Sequence, residues 1–268
     1  LQPVPSLSPA LRVFSRRVFA DTYGFCVSVF LNDLGIVCAL GVDRDAVWAG
    51  LHAPAPGGVL ATDAYSPGRL LHLGVVPGDL RAPTDVPLAQ RSRNNALLIQ
   101  ALAQLRPSLA ELKTRHSPTR IGVVIGSSTS GIAEGECAIA EQQRSGLLPS
   151  HYHYGQQDLF SPAQFVAAQV GAAGPAMTIS TACSSSAKAL ASAARWLNAG
   201  LCDAVIAGGA DSLCAFTVAG FSALESVSSA RCNPSSLHRS GINIGEGAAL
   251  FVVSRQPSPV RLSGWGES

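Results

Sequence analysis

Residues 177–200, MTISTACSSSAKALASAARWLNAG, constrain this chain more than any other stretch. The opening Met177-Thr178-Ile179 is short, apolar and β-branched, which suits a strand. Ser180, Thr181 and Ala182 lead to Cys183, and three serines follow it. Ala187, Ala189, Leu190, Ala191, Ala193, Ala194, Trp196 and Leu197 then form a run of strong helix formers, and Gly200 supplies a stop. Strand, sharp turn and helix in that order put Cys183 where a helix begins. Unpaired N–H groups and the positive end of the helix dipole favour a thiolate there, and small neighbours leave the sulfur approachable. The pattern predicts a nucleophilic elbow. The alternative, a free cysteine acting as a small buried hydrophobe, is the reading for the other six cysteines.

Size and composition bound the rest. The 268 residues are 47% hydrophobic and only 13% charged, enough to bury a large core as one large domain or two small ones. The longest apolar runs fall short of a membrane span. A formal charge of +2, with no basic stripe interleaved with aromatics, gives no case for nucleic acid. Seven cysteines, an odd number without CxxC, argue against a disulfide scaffold or a zinc site and for a reducing, cytoplasmic setting.

Residues 1–24 contain Arg12, Arg16 and Arg17 against Asp21 and read as an irregular N-terminal extension rather than a transit-like or membrane-surface helix. A single domain of residues 25–268 follows. Residues 25–31 (FCVSVFL) predict a buried strand, and Gly35–Gly41 continues it after a polar interruption. Asp43 is a candidate N-cap for a short helix ending at Gly50. Residues 52–87, rich in Pro and Gly, predict a long surface excursion. Residues 94–112 have helical spacing that Pro107 should kink or break. Strands are expected at 121–125, 204–207, 248–253 and 260–264, and helices at 134–144, 162–170 and 218–224. Gly208-Gly209-Ala210-Asp211 reads as a tight glycine turn. Strands alternating with helices predict an α/β fold, a mixed and largely parallel sheet with helices on both faces.

Two polar features bear on chemistry. Gly126-Ser127-Ser128-Thr129-Ser130-Gly131 follows a strand but lacks the Gly-Lys-Ser/Thr of a phosphate loop, so close backbone approach to another group is its expected use. His151 and His153 could share a strand face, but no third ligand stands at a suitable spacing. A polar surface or interface is the reading there, and no metal is assigned.

TACSSS around Cys183, AGGAD at 207–211, INIGEGAAL at 242–250, and LGIVCALG at 34–41 followed by VWAGL at 47–51 together resemble the β-ketoacyl-acyl carrier protein synthases, the ketosynthases of the thiolase superfamily. In detail the chain is similar to the type II polyketide, fatty-acid and aryl-polyene condensing enzymes. The resemblance implies a thiolase-like fold and a two-step reaction. An acyl group passes from a carrier-protein thioester to Cys183, and a malonyl thioester then loses CO2 and its carbanion attacks the acyl-enzyme. Covalent capture divides one difficult condensation into two easier steps, and the backbone N–H of Cys183 would supply half of an oxyanion hole.

By the same resemblance Thr129 lies at the far end of the acyl pocket and Phe221 is a pocket aromatic, with core packing as its equal alternative. Glu246, Arg239 and Asp211 match structural polar residues. The implied partners are an acyl carrier protein and a second ketosynthase-like chain, as homodimer or heterodimer, paired along residues 177–180. The partner would complete the pocket through residues 151–160. Arg91 and Arg93 are candidates for a basic face toward the acidic carrier, but a merely solvated surface is the favoured reading there. No cofactor or metal is implied, because the substrate arrives activated.

The chain departs from that family in two ways. Family members have two related halves, and residues 25–268 match only the N-terminal half. The catalytic histidines, a lysine and a second oxyanion loop belong to the C-terminal half, which is lacking. Residues 235–241 (SSLHRSG) also lose two acids that the family carries there. The alternatives are therefore a non-catalytic partner similar to the chain-length factors, which usually replace the nucleophile, or an inactive truncated ketosynthase. A serine hydrolase fails for want of GxSxG.

Overall fold

The computed structural model of the protein describes residues 28–54 and 57–267. The expected extension at 1–24 and the start of the first predicted strand lie outside them. The chain begins with β1 (Val29–Cys38), one strand where the sequence suggested two pieces; a register irregularity between Leu31 and Asp33 marks the polar interruption. α1 (Arg44–His52) starts at Asp43, whose Oδ1 accepts from Ala46 N at 2.8 Å.

The surface excursion is not structureless. β2 (Leu60–Thr62) and β3 (Leu71–Leu73) pair antiparallel, and Leu71 and Leu73 anchor a small apolar cluster with Leu213, Val218 and Ile244. α2 (Arg93–Gln104) is capped by the buried Ser92, whose hydroxyl accepts from Asn95 N. Its apolar face is Leu97, Leu98, Ala101 and Leu102. It ends at Leu105, and α3 (Arg106–Arg115) restarts with Pro107 in its first turn, where a missing N–H is harmless.

β4 (Ile121–Gly126) is buried throughout. α4 (Ile132–Ser145) ends at Gly146 and α5 (Ser161–Val170) at Gly171, both glycines left-handed. Then follow β5 (Ala176–Ile179), α6 (Ser185–Asn198), β6 (Ala204–Asp211), α7 (Ala215–Ala223), β7 (Gly247–Ser254) and β8 (Val260–Leu262).

Six strands form one sheet in the order β5-β4-β6-β7-β1-β8. β4 is parallel to β5 and β6, whereas β7 is antiparallel to β6 and β1, and β8 to β1. The sheet is mixed, as expected, but not largely parallel. The expected glycine turn at 208–211 is also overturned: these residues continue β6, with ladders to β4 and β7 on either side. Gly208 sits at φ +156, and a Cβ there would strike the Ala249 carbonyl oxygen, so glycine lets β7 come close rather than reversing the chain.

Helices cover both faces. α2 and α5 pack on one, around Leu97, Leu98, Val123, Ile125, Phe165 and Ile206. α6 packs on the other through Ala189, Ala193, Ala194 and Leu197 against Val124, Val205 and Ala207. No helix among the described residues is long and apolar enough to cross a membrane.

Candidate active site

The carboxyl ends of the three parallel strands lie level, since Gly126 pairs with both Ile179 and Gly209. In sheets of this kind that rim is where functional loops gather. Here it carries the loop after β4, the Cys183 turn after β5 and Asp211 at the end of β6.

The Cys183 turn is held by its own hydroxyls. Ser185 Oγ accepts from Thr181 N (2.9 Å) and donates to the Ala182 carbonyl (2.7 Å), while Ser184 Oγ donates to the Thr181 carbonyl (2.8 Å). Ala182 adopts φ +53, a left-handed conformation that a residue with a Cβ holds only when its surroundings enforce it. Cys183 is exposed, two residues before the first residue of α6. Tight packing brings that helix start onto the sheet. A Cβ at Gly126 would lie 2.5 Å from Ser186 N, and one at Gly209 would strike Ser186 Oγ. Beside the turn a cavity of about 250 Å³ is bounded by Ser184, Ala187, Lys188 and the returning chain at Trp265–Glu267. Glu267 pairs with Arg195 (2.5 Å) and Lys188 (3.5 Å), which holds its carboxyl below the usual range.

The other cysteines differ in setting. Cys202 and Cys214 are buried, and burial pushes both thiols up. Cys137, expected to be buried, is exposed on α4; desolvation and then Glu134 and Glu136 push its thiol up. Cys38 and Cys232 are partly buried, and Cys26 lies outside the described residues.

Thr129 and Phe221 are placed unequally. Thr129 is buried, and its hydroxyl donates to Asp211 Oδ1 (3.0 Å) and accepts from Ser212 N (3.0 Å). With both roles of the hydroxyl occupied, the methyl group is what remains to face a neighbour. Phe221 is half-buried on α7 and packs against the cluster built on Leu71, Leu73 and Val218. From this loop Ser128 hydrogen-bonds to the Cys183 turn, its Oγ donating to the Ala182 carbonyl at 3.2 Å. Sequence reading passed over it, because nothing in the run of small polar residues distinguishes one from the next.

Arg91 and Arg93, candidates for a basic face against the favoured reading of a solvated surface, both make hydrogen bonds within the chain. Arg93 donates to both carboxylate oxygens of the fully buried Glu246 (2.7 and 2.5 Å) and to the Leu80 carbonyl (2.8 Å). This pairing keeps its guanidinium firmly protonated. Glu246 also accepts from Val76 N and Leu213 N, so it ties β7 to three other segments and is structural. Arg91 donates through Nε to the Val86 carbonyl. Arg239 bonds the Ser236 carbonyl in an exposed loop. His153 Nδ1 accepts from Gly155 N, and among the described residues no group of three or more His, Cys, Asp or Glu side chains could hold a metal ion.

A sheet of this order, with a cysteine turn leading into a helix on one face, defines a thiolase-like condensing-enzyme fold. The chain belongs to the β-ketoacyl synthase family: the model of the family's N-terminal domain matches residues 96–258. It is 25% identical over 236 residues to nodulation protein E of Rhizobium meliloti, covering 84% of this chain and 57% of that one. To the tetracenomycin polyketide synthase ketoacyl synthase alpha subunit of Streptomyces glaucescens it is 32% identical over 152 residues, 51% of this chain and 35% of that one. Among solved structures, a chain of the complex of the ketosynthase ApeO with its chain length factor ApeC from Xenorhabdus doucetiae matches with a TM-score of 0.82 and 38% identity, over 88% of this chain and 60% of that one. The chain thus spans less than two thirds of the length of each of these proteins.

Proposed function

We propose that this chain is the nucleophile-bearing half of a β-ketoacyl-carrier-protein synthase. Cys183 accepts an acyl group from a carrier-protein thioester, and a complementary half supplies the groups for decarboxylative condensation with a malonyl thioester. The observation that carries the reading is the exposed Cys183 at the end of a left-handed turn leading into α6, within the family's N-terminal domain.

The acylation step balances within this reading. The Cys183 sulfur attacks the thioester carbonyl, the tetrahedral oxyanion is met by the Cys183 N–H, and the carrier thiol leaves and takes up the proton lost by Cys183. β5 stands at the sheet's edge with Met177 and Ile179 half-buried, which suits pairing with a second ketosynthase-like chain. The match to a ketosynthase bound to its chain length factor supports a partner of that kind.

Mass spectrometry after incubation with an acyl-carrier thioester tests the proposal. We expect one acyl adduct at Cys183 in the wild type and none in Cys183→Ala, since desolvation makes Cys137, Cys202 and Cys214 poorer thiolates. Condensed β-ketoacyl product is expected only when the complementary half is present. A folded chain with no adduct at Cys183 would support a non-catalytic, chain-length-factor-like partner instead.

A further inference from the structure

We propose that Asp211 is a positioning residue: acting through the loop after β4 and the Ser128 hydroxyl, it fixes the carbonyl of Ala182 and so the direction in which Cys183 leaves its turn. This rests on Cys183 being the acyl acceptor.

The bonding around Asp211 is concentrated on one atom. Its Oδ1 accepts from Ser128 N (2.6 Å), Thr129 N (3.0 Å), Thr129 Oγ1 (3.0 Å) and Ser127 Oγ (3.2 Å). Ser127 Oγ in turn accepts from Ser130 N, and Thr129 Oγ1 accepts from Ser212 N. Residues 127–131 are small and belong to no helix or strand, so their backbone has no regular ladder to order it. A carboxylate on the end of the neighbouring strand does so instead, and charge-assisted bonds of this kind are the strong ones.

That order reaches the cysteine. The Ala182 carbonyl accepts from Ser185 N (3.1 Å), Ser185 Oγ (2.7 Å) and Ser128 Oγ (3.2 Å). The first two donors belong to the turn and the helix it opens. Ser128 comes from another strand's loop and refers the turn to the sheet. Because Ala182 holds a left-handed conformation, relaxing its carbonyl would swing Cys183 and its N–H together. Acyl transfer needs the sulfur and that N–H aligned on one thioester, and a misplacement of about 1 Å costs on the order of 100-fold.

The experiment compares wild type, Ser128→Ala, Ser128→Thr, Asp211→Asn and Asp43→Ala in the assembly in which the chain purifies, at a temperature where circular dichroism shows all to be folded. Two rates are read at Cys183: acylation at saturating acyl thioester, and alkylation by iodoacetamide, which needs only an exposed sulfur. We expect the acylation rate to fall about 10-fold in Ser128→Ala and about 10- to 100-fold in Asp211→Asn. Alkylation should stay within about twofold of wild type, and Ser128→Thr should regain most of the rate by keeping the hydroxyl. Asp43→Ala, which removes the cap of α1, should leave acylation unchanged. Wild-type acylation in both Ser128→Ala and Asp211→Asn would overturn the proposal, as would equal falls in acylation and alkylation. A wild-type protein that takes no acyl group at Cys183 would show that the underlying reading has failed, and the positioning role with it.

Discussion

Glu134, in the first turn of α4, is a carboxylate under electrostatic strain. Its Oε1 accepts from Arg93 N at 2.8 Å, while its Oε2 is buried without a hydrogen-bond partner. Desolvation pushes its pKa up, against the smaller opposing effects of the Arg93 N–H and charge. A carboxyl whose folded pKa exceeds its unfolded value holds its proton more tightly when folded. Its contribution to stability is therefore fully present below the unfolded pKa and is lost as pH rises through the folded one. Glu134→Gln removes the charge and keeps an acceptor for Arg93 N. The variant should melt higher than wild type at pH 7, by about 2–4 °C if the relief is on the order of 1 kcal/mol, and the gap should close as pH falls below the ordinary carboxylate range. Thermal melts of both proteins across that range, each in the assembly in which the chain melts cooperatively, provide the check. A variant that melts lower than wild type at neutral pH would show that the ionised carboxylate stabilises the fold.

At the scale of elements, the site depends on how closely α6 can sit on the ends of β4 and β6. Gly126→Ala would place a methyl 2.5 Å from Ser186 N, on backbone that cannot step aside, and should cost about 1–3 kcal/mol by overpacking. Because the displaced atoms are the first turn of α6, acylation of Cys183 should fall further than the loss of folded protein accounts for. Chemical denaturation and the adduct assay on one preparation, in an assembly that unfolds cooperatively, measure both quantities. The elbow itself was legible in the sequence, because the β-branched run at Met177–Ile179 gives way abruptly to alanine-rich helix and local propensity agrees with the fold. The break at Pro107 and the cap at Asp43 were legible for the same reason. Strand direction was not, since a buried run has the same pattern parallel or antiparallel. Gly208-Gly209 carried a turn signal that ladders to β4 and β7 outweigh. β2 and β3, three residues each, are too short to show alternation. The loop role of Asp211 was not legible, because the loop it serves lies more than 80 residues away and side-chain bonds to distant backbone leave no local pattern.

For the whole molecule, the open question is what covers the face of the sheet beside α6. The helix lies over β4 and β6, and next to it a groove of about 320 Å³ is walled by Ile36, Cys38, Leu190 and Phe251. Small residues of β6 and β7 form its floor, among them Gly208, Gly209, Ala248 and Ala249, so a second helix could approach closely there. Leu31, Leu190, Phe251 and Leu262 remain only partly buried on this side. Isolated soluble monomers rarely leave extended apolar surface uncovered. The chain spans 57% of nodulation protein E and 60% of the matching chain in the ApeO–ApeC complex, and on the proposed reading a complementary half would occupy this face. Purified alone, the 268 residues should scatter light as associating species and melt without a sharp transition, and adding that half should give one monodisperse species with a cooperative melt. Leu190→Glu separates a specific seat from general stickiness, because a carboxylate on the groove wall should reduce self-association and also block assembly with the complementary half. A lone wild-type chain that stays monomeric and melts cooperatively would show that this face needs no cover.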